Sequence, residues 1–200
     1  MKRTAQMVLV VLALSTMALA NSVDFTNGGG RLTGTSTLSL SGSQLVAVEG
    51  LGPHQERGDL GTVSFTTGSL NSLGPHGEEI FDSGGSFVIA GNGRQGIHDG
   101  TIFHGCFVGP ATLTKVTFAN GEVQFTLRGT VTGRWYGGGI VTAKIEQLTA
   151  KADSFGGSIA VLSGDTQLQC KTVPPEPGTL ALLGTGLVSL GALLRFKAKA

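Results

Sequence analysis

Between residues 123 and 131 the chain alternates apolar and polar side chains with the period of a strand. Val123, Phe125, Leu127 and Val131 fall at odd positions, with Gln124, Thr126, Arg128, Thr130 and Thr132 between and after them. Asn120-Gly121 separates this run from 111–118, and that dipeptide predicts a two-residue type I′ turn with positive φ at both central residues. The two runs are expected as a β-hairpin with one wet face.

Further strands are expected at 31–40, 45–49, 61–67, 86–90, 101–108, 140–148 and 158–162, separated by Gly, Asn, Ser and Pro. The stretch 143–152 could be written as a helix, but β-branched residues and the alternation of Val141, Ala143 and Ile145 favour a strand. Glycine supplies 33 of 200 residues, more than twice its usual share of about 7%, and charged residues only 14% against about 25%. The expected fold is all-β: one antiparallel sandwich or barrel-like domain over 21–172, about 150 residues and large enough to bury a core.

The ends of the chain differ from this body. Met1-Lys2-Arg3, the apolar run 7–14 and Ala18-Leu19-Ala20 follow the order of a secretory signal peptide, which places segment 1–20 in a signal helix removed by signal peptidase after Ala20. Val173-Pro174-Pro175-Glu176-Pro177 is a stiff extended linker, because each proline fixes φ and lacks an N–H. From Gly178 to Leu194 no charge occurs over 17 residues, about 25 Å as a helix and the lower limit for a transmembrane span. Arg195, Lys197 and Lys199 make 195–200 a basic tail, so the positive-inside rule leaves the tail in the cytoplasm and the body outside. Between Asn21 and Thr172 nine Lys/Arg face twelve Asp/Glu, a balance of −3. Without clustered basic residues a nucleic-acid partner is excluded.

The stretch Pro175-Glu176-Pro177-Gly178-Thr179-Leu180-Ala181-Leu182-Leu183-Gly184, followed by a Leu/Gly-rich span and a basic end, resembles the PEP-CTERM sorting signal of polysaccharide-producing Gram-negative-type bacteria. The resemblance covers about 173–200, and the basic end is more dispersed here than a compact Arg/Lys cluster. It implies recognition of Pro175, Glu176 and Pro177 by an exosortase-type membrane protease, then release or transfer into an extracellular polysaccharide or biofilm setting.

Chemistry in the body is sparse. His98, Asp99, His104 and Cys106 are all capable of binding a metal, and His104 and Cys106 share a face on a regular strand, yet their spacing matches no metal motif; no metal or cofactor is assigned. Glu78, Glu79, Asp82 and Asp59 lack the Asp-x-Asp-x-Asp-Gly pattern of a calcium loop. Gly156-Gly157-Ser158-Ile159-Ala160 fails the nucleophile-elbow pattern at its last position. Trp135-Tyr136, the chain's single Trp beside its single Tyr, offers a ring for stacking on a sugar, here taken as Trp135, while the adjacent ring packs inward. Cys106 and Cys170 are a candidate disulfide in an exported chain, and their pairing stays open. Leu51-Gly52-Pro53-His54 recurs as Leu73-Gly74-Pro75-His76, with Ser64-Phe65 matching Ser86-Phe87 at the same offset.

The expected function is that of a non-catalytic exported protein of the envelope or extracellular matrix. It would be membrane-anchored before processing and then lie at the cell surface, associated with exopolysaccharide. The alternatives are a carbohydrate-binding module and a secreted metal-dependent hydrolase.

Overall fold

The computed structural model describes residues 22–51 and 55–169. The expected signal peptide with Ala18 and Ala20, Cys170, the linker with Pro175, Glu176 and Pro177, the uncharged span and the basic tail all lie outside the described residues. Within them the protein is all-β, and no helix is long and apolar enough to cross a membrane. The strands are β1 (Ser22–Gly28), β2 (Arg31–Thr33), β3 (Ser39–Glu49), β4 (Glu56–Thr66), β5 (Leu70–Leu73), β6 (Glu79–Phe81), β7 (Gly84–Asn92), β8 (Asp99–Phe107), β9 (Ala111–Thr117), β10 (Val123–Trp135), β11 (Ile140–Thr149) and β12 (Ser158–Gln169).

Eight of them close into an antiparallel barrel: β1 pairs β3, β3 pairs β4, and the path runs through β7, β8, β10, β11 and β12 back to β1. Closure follows from the inward alternation. Val23 and Phe25 on β1, Phe65 on β4, Phe87 and Ile89 on β7, Phe103 and Phe107 on β8, and Leu127 and Val131 on β10 all point inside and are buried. Eight strands leave an interior just wide enough for side chains to fill. Here phenylalanines fill it: Phe65 stacks on Phe87 at 5.9 Å, and Phe107 and Phe103 meet that pair edge-on at 6.0 and 6.1 Å. The outward positions of β10 to β12 are mostly Thr, Gln, Lys, Arg, Glu and Asp, with Ile140, Leu148 and Leu162 the large apolar exceptions. This apolar-in, polar-out pattern is the inverse of a lipid-facing barrel.

Bends let the strands coil into a closed ring. At Gly30 (φ 79°) a Cβ would lie 2.5 Å from the Ser41 carbonyl oxygen, so only glycine lets β1 turn into β2 against β3. There β3 shifts register between Leu40 and Ser43, which moves its buried set from Leu40 to Ser43, Leu45 and Ala47. Strand β10 is shared: Val123–Arg128 pair β9, and Val131–Trp135 pair β8. Strands β9, β6 and β5 form a flap off the barrel, with Phe81, Ala111 and Leu113 packed into the same core.

The interior also holds an amide pair. Asn27 Nδ2 on β1 donates to Gln147 Oε1 on β11 at 2.9 Å, and Gln147 Nε2 donates back to Asn27 Oδ1 at 3.0 Å. Asn27 Nδ2 also donates to Ser43 Oγ at 2.8 Å, and Ser43 Oγ donates to the Gly28 carbonyl. In the register, Gly164 of β12 stands between Asn27 and Gln147. The Gln147 side chain crosses over it, so a Cβ at Gly164 would lie 2.1 Å from Gln147 Oε1.

The hairpin of β9 and β10 forms where the sequence places it, with a different turn. Asn120 is not among the residues with positive φ, whereas Gly121 is at 89°. The Gly121 N–H donates to the Phe118 carbonyl, so Ala119 and Asn120 are the central residues and Gly121 is a following left-handed residue. The Asn120 side chain fixes this form by accepting from the Glu122 N–H at 3.1 Å and donating to its carboxylate at 2.6 Å. The run 31–40 is split between β2 and β3, β3 absorbs 45–49, and β12 extends to Gln169 instead of stopping at 162.

Gly164→Ala is expected to displace Gln147 and destabilise the barrel by about 1–3 kcal/mol, the cost of leaving buried amides unpaired. In a denaturant-unfolding cycle with Gln147→Ala, the double variant should lose less than the sum of the singles, because the clash then has no partner. Strict additivity would show that the crossing amide is not the constraint at Gly164.

Candidate functional site

The turns between β3 and β4, β7 and β8, and β10 and β11 all lie at one end of the barrel, together with Ser22 and Gln169. The aromatic residues singled out in the sequence sit there. Trp135, an inward position at the end of β10, packs against the core with its indole 6.0 Å from the Phe25 ring. Tyr136 follows, with its N–H donating to the Ile102 carbonyl, and is 47% exposed. Its ring lies 4.5 Å from Trp135 and is stacked on His98 at 4.7 Å and 11°. The exposed ring of the pair is therefore Tyr136, and part of its surface is already covered by His98 and Trp135. The sequence identified the pair but did not fix the parity that sends Trp135 inward.

The other candidates are dispersed. Asp99 opens β8, while His104 and Cys106 stand exposed on its outer face, two residues apart as the alternation requires. His98 is in the preceding loop, held against Tyr136. Among the described residues, no group of three or more His, Cys, Asp and Glu side chains converges as a metal site would. Cys106 is in register with Thr132, Thr142 and then Gln169, so three strand spacings, about 14 Å of sheet, separate it from the residue preceding Cys170. Glu78 belongs to the β5–β6 turn, where its carboxylate accepts from the His76 N–H at 3.0 Å and its own backbone N–H, the larger influence, helps hold it below the usual carboxylate range. Asp59 accepts from Arg94 at 2.8 Å on the surface.

A polar groove that no sequence pattern marked runs across the outer face. One row places Thr112, Arg128, Glu146, Asp165 and Thr26 on β9, β10, β11, β12 and β1; the next places Thr130, Lys144, Gln167 and Asp24 on β10, β11, β12 and β1. Two shallow depressions of about 430 and 450 Å³ share Glu146 and Asp165. Arg128 donates to both Glu146 oxygens, at 2.9 and 3.0 Å, an exposed pair that solvent screening leaves weak. Partial burial raises the Asp165 carboxyl above its ordinary value, reinforced by the charge of Asp24 and, less, of Glu146, against a lowering bond from the Thr166 N–H. Asp24 Oδ1 is buried there without a hydrogen-bond partner among the described residues. The row is visible only once the strand register is known, because its members are far apart in sequence. Its planar polar groups can exchange hydrogen bonds with hydroxyls.

Trp135→Ala is expected to cost about 3 kcal/mol because it empties part of the core, and Tyr136→Ala under about 1 kcal/mol because the ring is half outside; thermal unfolding of the two variants would reveal any reversal.

Folded Asp165 binds its proton more tightly than the unfolded chain does, so its ionisation disfavours the folded state as pH rises above the ordinary value of 3.8. Asp165→Asn should therefore raise stability at pH 7 by about 0.5 kcal/mol, the scale left for a solvent-screened site. The gain should vanish at pH 3, and an equal gain at both would refute the cause given.

Comparisons with protein-family models, with curated protein sequences and with solved structures give no match to this chain.

Proposed function

We propose that this chain is an exported, non-catalytic β-barrel protein of the cell envelope or extracellular matrix. An N-terminal signal peptide delivers it, and the tail resembling a PEP-CTERM signal holds it at the membrane until an exosortase-type protease acts near Pro175, Glu176 and Pro177. The observation that carries this reading is the pairing of Ser22 with Gln169. The polypeptide enters and leaves the barrel at hydrogen-bonded neighbours, one residue after Asn21 and four before Val173, so both end segments can be cut away without removing a barrel strand. The apolar interior and polar exterior suit a body that works in water.

A second reading, a carbohydrate-binding module, is supported by the groove on β9 to β12 and β1, whose Arg128, Glu146, Asp165 and Gln167 present hydrogen-bonding groups in rows. It differs from the first in predicting that the isolated body retains a polysaccharide on a glycan array and that Arg128→Ala reduces that retention.

Intact-mass measurement of the protein expressed in a host with the sorting protease should find 1–20 missing and the chain ending near Pro177. In a host without that protease, 178–194 should be retained. Retention in both hosts would make the tail a plain anchor and overturn the sorting reading.

A further inference from the structure

The tail leaves the barrel after Gln169, at the end that carries the β3–β4, β7–β8 and β10–β11 turns. Eight residues, 170–177, separate Gln169 from the first residue of the uncharged run, a reach of at most about 32 Å when fully extended. The twelve residues of β12 rise about 40 Å along the strand, or about 30 Å along the axis of a barrel with ordinary strand tilt. To bring the opposite end to a membrane holding 178–194, the linker would have to run back along the whole barrel and use nearly all of its length.

The end near the linker carries side chains suited to a lipid headgroup layer. Tyr136 is 47% and Ile140 73% exposed on the two sides of one glycine turn, with Leu51 at the edge of the turn across the barrel. His98 stacked on Tyr136 adds a second amphipathic ring, and Arg134 stands opposite Ile140 in the register, where a guanidinium can meet phosphate. Aromatic rings and basic residues are the usual occupants of that layer. A contact too weak to form in free solution suffices here, because a short tether raises the effective concentration to about the millimolar range.

We infer that this rim is the face the protein holds against the bilayer while its tail is anchored, with Tyr136 and Ile140 entering the headgroup layer and the β5–β6–β9 flap directed away. The inference rests on the tail being a membrane span. Leu70, Leu73, Val108, Val116 and Leu162, the other large apolar side chains exposed on the barrel and flap, lie toward the opposite end and would serve the reverse orientation.

The test uses the full chain mixed with phosphatidylcholine–phosphatidylglycerol vesicles that carry a nitroxide at the headgroup. Trp135 is the chain's single tryptophan and sits at this rim. Co-flotation with the vesicles and a loss of Trp135 emission are expected. Ile140→Glu should restore the emission while flotation persists. A reporter at the far end, Leu73→Trp in a Trp135→Phe background, should float and stay bright. Flotation with Trp135 bright, or with the Leu73→Trp reporter quenched in its place, would overturn the rim orientation and leave the anchor standing. Failure to float would overturn the anchor, and the orientation with it.

Discussion

Strand β1 is seven residues long and is paired along both edges, to β12 on one side and β3 on the other. Without it, β3 and β12 would each expose a row of unpaired amides over most of their length, and only the three-residue β2, which pairs with both, would bridge them. The strand is held by more than its ladder. Phe25 is fully buried, and the Asn27 side chain reaches Ser43 on β3 and, over Gly164, Gln147 on β11. Three strands beyond β1 itself are thereby fixed around one amide in a dry interior, where a half-made network would cost more than an apolar one. That requirement orders the rest: Gly164 has to lack a side chain, β3 has to present Ser43 inward, and the bulge after Leu40 is what turns it there.

The same residues explain how much of the fold was legible. Strands with phenylalanine and branched side chains at alternate positions, such as β4, β7, β8 and β10, announce themselves, and so does the hairpin at Asn120-Gly121. Strand β1 does not, because its third inward position is Asn27 and its apolar count stops at two. The second half of β12 hides likewise. Gly164 and Thr166 occupy two of its three inward positions, leaving only Leu168 apolar, and the exposed pair Leu162-Ser163 reverses the parity established by Ile159 and Val161. Local pattern could name the fold class but not decide between sandwich and barrel. That decision rests on Ser22 meeting Gln169, a contact between the two ends of the domain that no short window contains.

The candidate chemistry was legible in a different measure. Residue types at His98, Asp99, His104 and Trp135-Tyr136 were conspicuous, but burial and parity decide what each does: Trp135 packs against the core, His98 is a stacking partner, and His104 stands exposed on the outer face of β8. The groove around Arg128, Glu146 and Asp165 was invisible, since it is assembled from one residue on each of several strands. A surface of this kind is a property of register, and register is fixed by closure.

The placement of Ser22 and Gln169 at one end also sets how the molecule would bear a mechanical load. A pull between the tail and anything gripping the far end would run along β12 and be resisted by its ladders to β1 and β11 together, in shear, since the strand cannot leave by opening one hydrogen bond at a time. A domain tethered in this way would resist extraction by drag on its outer end, and detachment would then be left to cleavage of the tether.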